Sequence, residues 1–246
     1  MMGSSSDASE VSLKAQPERK SFTDDCAATY EALRAESALD RRIEICSSRF
    51  LGRPYVDSPL GGGPLEREVL TTDTSGFDCV TYVETVLALS ISNSQLSFKR
   101  RLRSIRYNNG QVDWFKRNHY MIDWAKRNET AGFVRNCTAG EFVVKRRRVL
   151  NLIPSLPSKE VALRCLPKQR IARDRAIGKS GDILLFVSTR RNLDVFHLGF
   201  LIRRESERLL RHASRTARCV IEEDLNSFLS RYRMAGVILL RPTCPA

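Results

Sequence analysis

Three residues carry the chemistry that this sequence offers. Cys79 follows Gly76-Phe77-Asp78 and opens the run DCVTYVETVLALS, 78–90, in which Val80, Val83, Val86, Leu87 and Leu89 recur at helical spacing. Asp78 is a helix-capping residue type, so the pattern predicts a helix whose first turn holds the cysteine. The free N–H groups and partial positive charge of a helix start favour a thiolate, the nucleophilic form of cysteine. Position alone does not assign a role, because a cysteine in such a place is more often a small core residue.

The other two are histidines. His197 lies in DVFHLGFLIR, where strand alternation puts Val195, His197, Gly199 and Leu201 on one face. An imidazole in so apolar a strand is either a satisfied core group or an aimed base. Gly199, next on the same face, is expected to leave open space beside the ring, as a substrate cleft requires. His212 in LLRHAS falls on the next predicted strand, where a hairpin sets the two rings side by side. A thiol, an imidazole base and a polar group that orients the base form a relay for splitting amides. The base protonates the leaving amine, and the thioester left on sulfur is then hydrolysed.

The elements that must hold these groups come in two blocks. Residues 25–51 read as two short helices, 51–66 as a Gly/Pro-rich loop, 78–90 as the clearest helix, and 99–132 as a basic helical stretch with an aromatic segment, 114–124. Short β-type runs then follow at 143–149, 182–187, 195–202, 208–213, 219–222 and 237–240. Helices first and closely spaced strands second predict an α+β fold with an antiparallel sheet.

At 246 residues, with 42% hydrophobic and 28% charged, the chain is long enough for one packed domain, 25–246, behind a polar Ser-rich tail, 1–24, expected to be disordered. No apolar run approaches a membrane span, and the N-terminus lacks the basic-then-apolar layout of a secretion signal. Synthesis in the cytoplasm is expected, with non-classical export to periplasm, wall or host as the open route. The 41 Lys+Arg against 28 Asp+Glu, a formal +13, point to an anionic partner without choosing which. Seven scattered cysteines without a CxxC pair argue against a disulfide scaffold or a structural zinc site. No cofactor and no metal requirement are expected.

Several motifs are weighed and set aside. AIGKSGD, 176–182, has a GKS triplet, but Arg173 stands where a phosphate loop needs its first glycine and a strand follows. KRRR, 145–148, and KRRLRSIR, 99–106, are read as solvated basic faces, since no nucleic-acid reader accompanies them. Cys137 and Cys219 have no histidine nearby and are read as structural thiols.

The motifs GFDCVTYVETVLAL, GDILLFVSTRRNLDVFHLGFLI, LLRHAS and AGVILLRP, with FLGRPYV (50–56), IRYNNG (105–110) and NHYMIDW (118–124), resemble the N-acetylmuramoyl-L-alanine amidase-like family, a bacterial branch of the papain-like NlpC-type cell-wall cysteine peptidases. The resemblance runs from about Phe50 to Pro242. It implies a papain-like fold, with the nucleophile at a helix start packed on an antiparallel sheet that carries the base. It also implies a Cys79, His197, His212 triad, with Asp78 and Tyr55 in substrate binding or oxyanion stabilisation. His119, Tyr120, Asp123 and Trp124 would line the cleft by the same resemblance, with ordinary helix packing as the competing account, and His119 is the substitute third member should His212 point away. One departure is Phe196, where many relatives have a small polar residue, which is expected to narrow the cleft.

The activity so implied is hydrolysis of an amide in the peptidoglycan stem peptide or of the sugar-peptide linkage, with a muropeptide as substrate and anionic wall polymer as a contact. Two alternatives stand beside it. One is a papain-like hydrolase or acyltransferase acting on a host protein, as a secreted effector; the other is a non-enzymatic basic module that binds nucleic acid or wall.

Overall fold

The computed structural model describes residues 22–140 and 142–245, and the expected disorder of 1–21 lies outside the described residues. The first helix, α1 (Phe22–Leu33), takes in residues 22–24 of the expected tail. After it come α2 (Leu39–Ser48), α3 (Cys79–Ser90), α4 (Gln95–Arg106) and α5 (Met121–Thr130), with 3-10 turns at Asn108–Gly110 and Trp114–Lys116 between the last two. Strands dominate the rest: β1 (Val134–Asn136), β2 (Val144–Leu150), β3 (Lys159–Cys165), β4 (Ile183–Val187), β5 (Val195–Arg204), β6 (Glu207–Ser214), β7 (Cys219–Asp224) and β8 (Gly236–Pro242). Two short helices, α6 (Lys168–Arg173) and α7 (Leu225–Arg231), interrupt them. The fold is α+β with an antiparallel sheet, as the order of patterns predicts.

Six strands form one sheet in the order β1-β8-β4-β5-β6-β7, every pair antiparallel. β2 and β3 form a separate hairpin tied to the sheet through the Leu166 and Val237 bridge. All five residues of β4 are buried because both sheet faces are covered. On one face α3 packs over β5 and β6, flanked by α2 and α4, and buries Phe77, Val83, Val86, Leu87, Leu198 and Phe200 among others. On the other, α6 and α7 cover a second apolar cluster with Phe186, Leu201, Leu210 and Phe228 at its centre.

Charges inside the first layer are matched. Arg106 and Glu84 form a fully buried ion pair at 2.7 Å, and Trp124 Nε1 donates to the other Glu84 oxygen at 3.1 Å. Arg211, also fully buried, is paired with Glu222 and ties β6 to α2 through the Glu44 carbonyl (2.9 Å) and Ser47 Oγ (2.7 Å). Breaking either pair would strand a buried charge, which costs roughly 3–5 kcal/mol. The two basic runs are therefore only partly solvated. Arg106 ends one run inside the core, and Arg148, from KRRR, is buried with its guanidinium on the carbonyls of Arg147 and Ser188.

Candidate active site

Cys79 is the first residue of α3, and Asp78 is its N-cap. Asp78 Oδ1 accepts from the Thr81 N–H (2.7 Å) and hydroxyl (2.8 Å), while the Asp78 N–H donates back to Thr81 Oγ1 (3.1 Å), a reciprocal cap that fixes the entry to the helix. Just upstream, Gly76 lets residues 54–56 lie against Phe77: a Cβ there would stand 2.5 Å from Val56 Cγ2 and 3.0 Å from the Pro54 carbonyl. That close approach, with the Tyr55 and Phe77 bridge, brings the Tyr55 phenol to the cysteine. Burial pushes the phenol up to about 12, with the charges of Cys79 and Asp78 adding to the rise, so Tyr55 keeps its proton and can donate it.

His197 and His212 meet as expected. His197 Nε2 and His212 Nδ1 are 2.6 Å apart, with the rings nearly perpendicular (87°). Phe228 of α7 packs against both rings, 5.5 Å from each, and Phe186 stacks beneath His197. The space beside Gly199 is not open, contrary to the sequence reading. A Cβ there would lie 2.8 Å from His212 Cβ and 2.9 Å from the Arg211 carbonyl, so the glycine serves the close approach of β6 that joins the imidazoles. Phe196 sits with Phe186 and Tyr232 at the edge of the second apolar cluster and is not among the residues lining the cavity beside Asp78.

Glu223 is a group that sequence reasoning missed. Its Oε1 lies 3.0 Å from His212 Nε2, and its Oε2 is held by Arg231 at 2.9 Å. Strand alternation could have found it, since β6 and β7 pair His212 with Ile221 and Glu223 follows Ile221 on the same face. An ionised carboxylate only accepts, so neutral His212 donates through Nε2 and accepts at Nδ1. His197 must then donate through Nε2, which leaves Nδ1 as its basic atom. A single carboxylate thus sets both tautomers.

The electrostatics differ from the expected thiolate. Burial, then the charge of Asp78, pushes the Cys79 thiol up to about 12, against the N–H groups of Leu198, Cys79 and Val80, which favour the thiolate. Burial, with a smaller part from His212, holds His197 down to about 3, and burial lowers His212 despite Glu223. Desolvation outweighs the helix dipole here, and the resting pair is a neutral thiol and a neutral imidazole. Among the described residues no hydrogen bond joins the thiol to the His197 ring; the group of β5 acting on the sulfur is the N–H of Leu198, the residue after His197.

A cavity of about 470 Å³ opens at the start of α3, walled by Asp78, Val80, Thr81, Trp114, His119 and Met121 with the 58–62 loop. His119 lines it, Nε2 donating to the Trp114 carbonyl at 2.7 Å, and stands apart from the His197–His212 pair. Asp123 lines a neighbouring cavity and is ion-paired with Lys159, whose ammonium also lies 5.3 Å from the Tyr120 ring centroid. Tyr120 is mostly buried beside them. Trp124 is in the core with its Nε1 on Glu84 and lines none of these cavities. Among the described residues, no group of three or more His, Cys, Asp and Glu is arranged to hold a metal ion, and no helix is long and apolar enough to cross a membrane.

The sequence pattern described as N-acetylmuramoyl-L-alanine amidase-like matches residues 45–237. Among solved structures, an N-acetylmuramoyl-L-alanine amidase from Bacteroides uniformis superposes with a TM-score of 0.73 at 27% identity, covering 83% of this chain and 99% of that one. A protein from Bacteroides fragilis, provisionally named a xylanase, gives 0.70 at 26% identity over 79% of this chain and 98% of its own. A Legionella pneumophila protein gives 0.78 at 22% identity, over 91% and 96%, a likeness of fold alone. No curated protein matches the chain.

Proposed function

Because the chain belongs to the N-acetylmuramoyl-L-alanine amidase-like family, we propose that it hydrolyses an amide bond of peptidoglycan, in the stem peptide or between stem peptide and sugar, by a papain-like thiol mechanism. The observation that carries this reading is the relay from Glu223 through His212 to His197, which ends one residue from the Leu198 N–H that acts on Cys79. Packing alone does not require two imidazoles linked in line with a carboxylate, whereas that link fixes the tautomer of a base.

In this reading, Nδ1 of His197 takes the thiol proton as Sγ attacks the amide carbon, and the neutral resting pair becomes charged only with substrate in place. Apo hydrogen bonds at such sites are often long and tighten when substrate arrives. The imidazolium that forms is stabilised through His212 by Glu223, much as the third member of a triad steadies its histidine. The Cys79 N–H and the Tyr55 hydroxyl are the donors for the oxyanion. His197 then protonates the leaving amine, and water activated by the same Nδ1 hydrolyses the thioester.

The test is incubation of purified peptidoglycan with the wild-type protein and with Cys79→Ala, followed by mass spectrometry of the soluble products. Fragments from the wild type alone are expected, and their masses name the bond. Equal release by the two proteins would overturn Cys79 as the nucleophile.

A further inference from the structure

A cavity of about 700 Å³ forms a groove between α4 and α5 that the catalytic reading does not use. Three cations line it: Arg101 from α4, Lys126 and Arg127 from α5. Arg101 lies with its guanidinium 5.9 Å from the Phe133 ring centroid, and its Nε is enclosed without a hydrogen-bond partner. Lys126 is exposed and pairs with no carboxylate among the described residues. Arg127 is anchored by Asn118 Oδ1 at 2.7 Å. The one acidic lining residue, Asp123, is already neutralised by Lys159. Elsewhere Arg106, Arg117 and Arg211 are matched by Glu84, Glu68 and Glu222, and the buried Arg148 and Arg208 rest on carbonyl oxygens, Arg208 also on Asn226. In this groove Arg101 and Lys126 line an open cavity with no ion pair among the described residues.

The groove is also joined to the cavity at the start of α3, whose lining includes Asp78 and Val80, the neighbours of Cys79. It shares Asp123 and Arg127 with a cavity of about 220 Å³, and that cavity shares Arg117 and His119 with the one at Asp78 and Val80. A molecule bound at the start of α3 can therefore continue over His119 into the basic groove.

We propose that the α4–α5 groove is a subsite for the acidic part of the amide substrate, recognising carboxylate or phosphate groups at a distance from the bond that is cut. This rests on the hydrolase reading for the identity of the substrate but not for the existence of the site. Nucleic acid is the less favoured occupant. The only rings in the lining, Tyr107 and Phe133, are almost wholly buried and offer no face for a base to stack on.

The test uses the full chain carrying Cys79→Ala, which cannot turn substrate over, so that binding is read independently of chemistry. Two probes are compared by fluorescence anisotropy, a labelled oligoglutamate and a labelled oligothymidylate of equal charge. Lys126→Glu and Arg101→Gln are each set beside Lys145→Glu, an exposed control on β2 with the same charge change as Lys126→Glu. Lys126→Glu is expected to weaken oligoglutamate about tenfold, with a shallower salt dependence, and Lys145→Glu to leave it within about twofold. Equal losses in the two would reduce the effect to net charge and overturn the site, as would no loss in either groove variant. Tighter binding of oligothymidylate, lost in the groove variants, would reassign the groove to nucleic acid. With Cys79 restored, Lys126→Glu should raise KM for peptidoglycan fragments several-fold and leave kcat within about twofold. An unchanged KM on an active enzyme would cut the link between groove and substrate, whereas an inactive wild type would overturn the hydrolase reading alone.

Discussion

Replacing Glu223 with Gln tests the tautomer argument at its source. The carboxylate now presents one oxygen to His212 Nε2 at 3.0 Å and the other to Arg231 at 2.9 Å. An amide has one acceptor and one donor end, so it can satisfy only one of these neighbours. If the oxygen goes to Arg231, the NH2 faces His212 and draws its proton to Nδ1. The 2.6 Å contact with His197 Nε2 would then set two donors against each other, and His197 must move its proton to Nδ1, the atom that has to act as base. A hydrogen bond to a charged partner contributes about 1.5–3 kcal/mol, which at about 1.4 kcal/mol per decade predicts a fall in kcat of about 10- to 150-fold. KM should hold, because neither group faces the cavity beside Asp78. The assay is steady-state release of muropeptide, accompanied by nitrogen chemical shifts of labelled histidine, which should report His212 protonated at Nε2 in the wild type. A variant with kcat within twofold of wild type, or a wild-type His212 protonated at Nδ1, refutes the reasoning.

Gly199→Ala should destabilise by about 1–3 kcal/mol and depress activity with it, since the new methyl falls on His212 Cβ and the Arg211 carbonyl; denaturant melts and kcat measured together check this. Acid should destabilise the fold through His197. Its folded-state value, held down to about 3, lies below the ordinary one, so the unfolded chain binds the proton first; stability is full above about pH 6.5 and is lost as pH falls toward 3. Urea midpoints of wild type and His197→Gln, compared between neutral pH and about pH 4, should converge as the wild type loses its advantage. Asp78→Asn should keep the helix cap and remove the charge that raises the thiol, so alkylation of Cys79 by iodoacetamide should quicken at mildly alkaline pH, with no quickening counting against the assignment. Asp78→Ala should in addition cost about 0.5–2 kcal/mol of stability.

What could be read from the sequence was whatever depends on local order. Asp78 before an apolar helical stripe located α3 and its cysteine, and alternation around His197 and His212 placed them on neighbouring strands. The failures concern groups whose meaning depends on a distant neighbour. Gly199 looks like a gap until β6 is seen packed on it. Arg106 and Arg148 look solvated within basic runs because nothing local reveals Glu84 or the Ser188 carbonyl. At seven residues α7 is too short to establish a helical period, although Asp224 caps it through the Ser227 N–H at 2.7 Å. β3 pairs only with β2, outside the main sheet; its Val161, Leu163 and Cys165 do alternate with exposed Glu160, Ala162 and Arg164, a period-2 signal that the sequence reading passed over. The thiol's neutrality was out of reach, since desolvation is a property of the packed interior.

The adjacent acids of β7 serve opposite sides of the sheet. Glu222 neutralises the buried Arg211 on the helical side, and Glu223 holds His212 on the other. Because strand neighbours point in opposite directions, a β7 slipped by one residue either way would carry Glu222 over to the side of the histidines. In one direction Ile221 would face Arg211 and leave its buried charge without a counter-ion; in the other the shorter Asp224 would stand opposite Leu210 in the place of Glu223. The alignment that orients the relay with a glutamate is thus the same one in which the interior closes with a glutamate on Arg211.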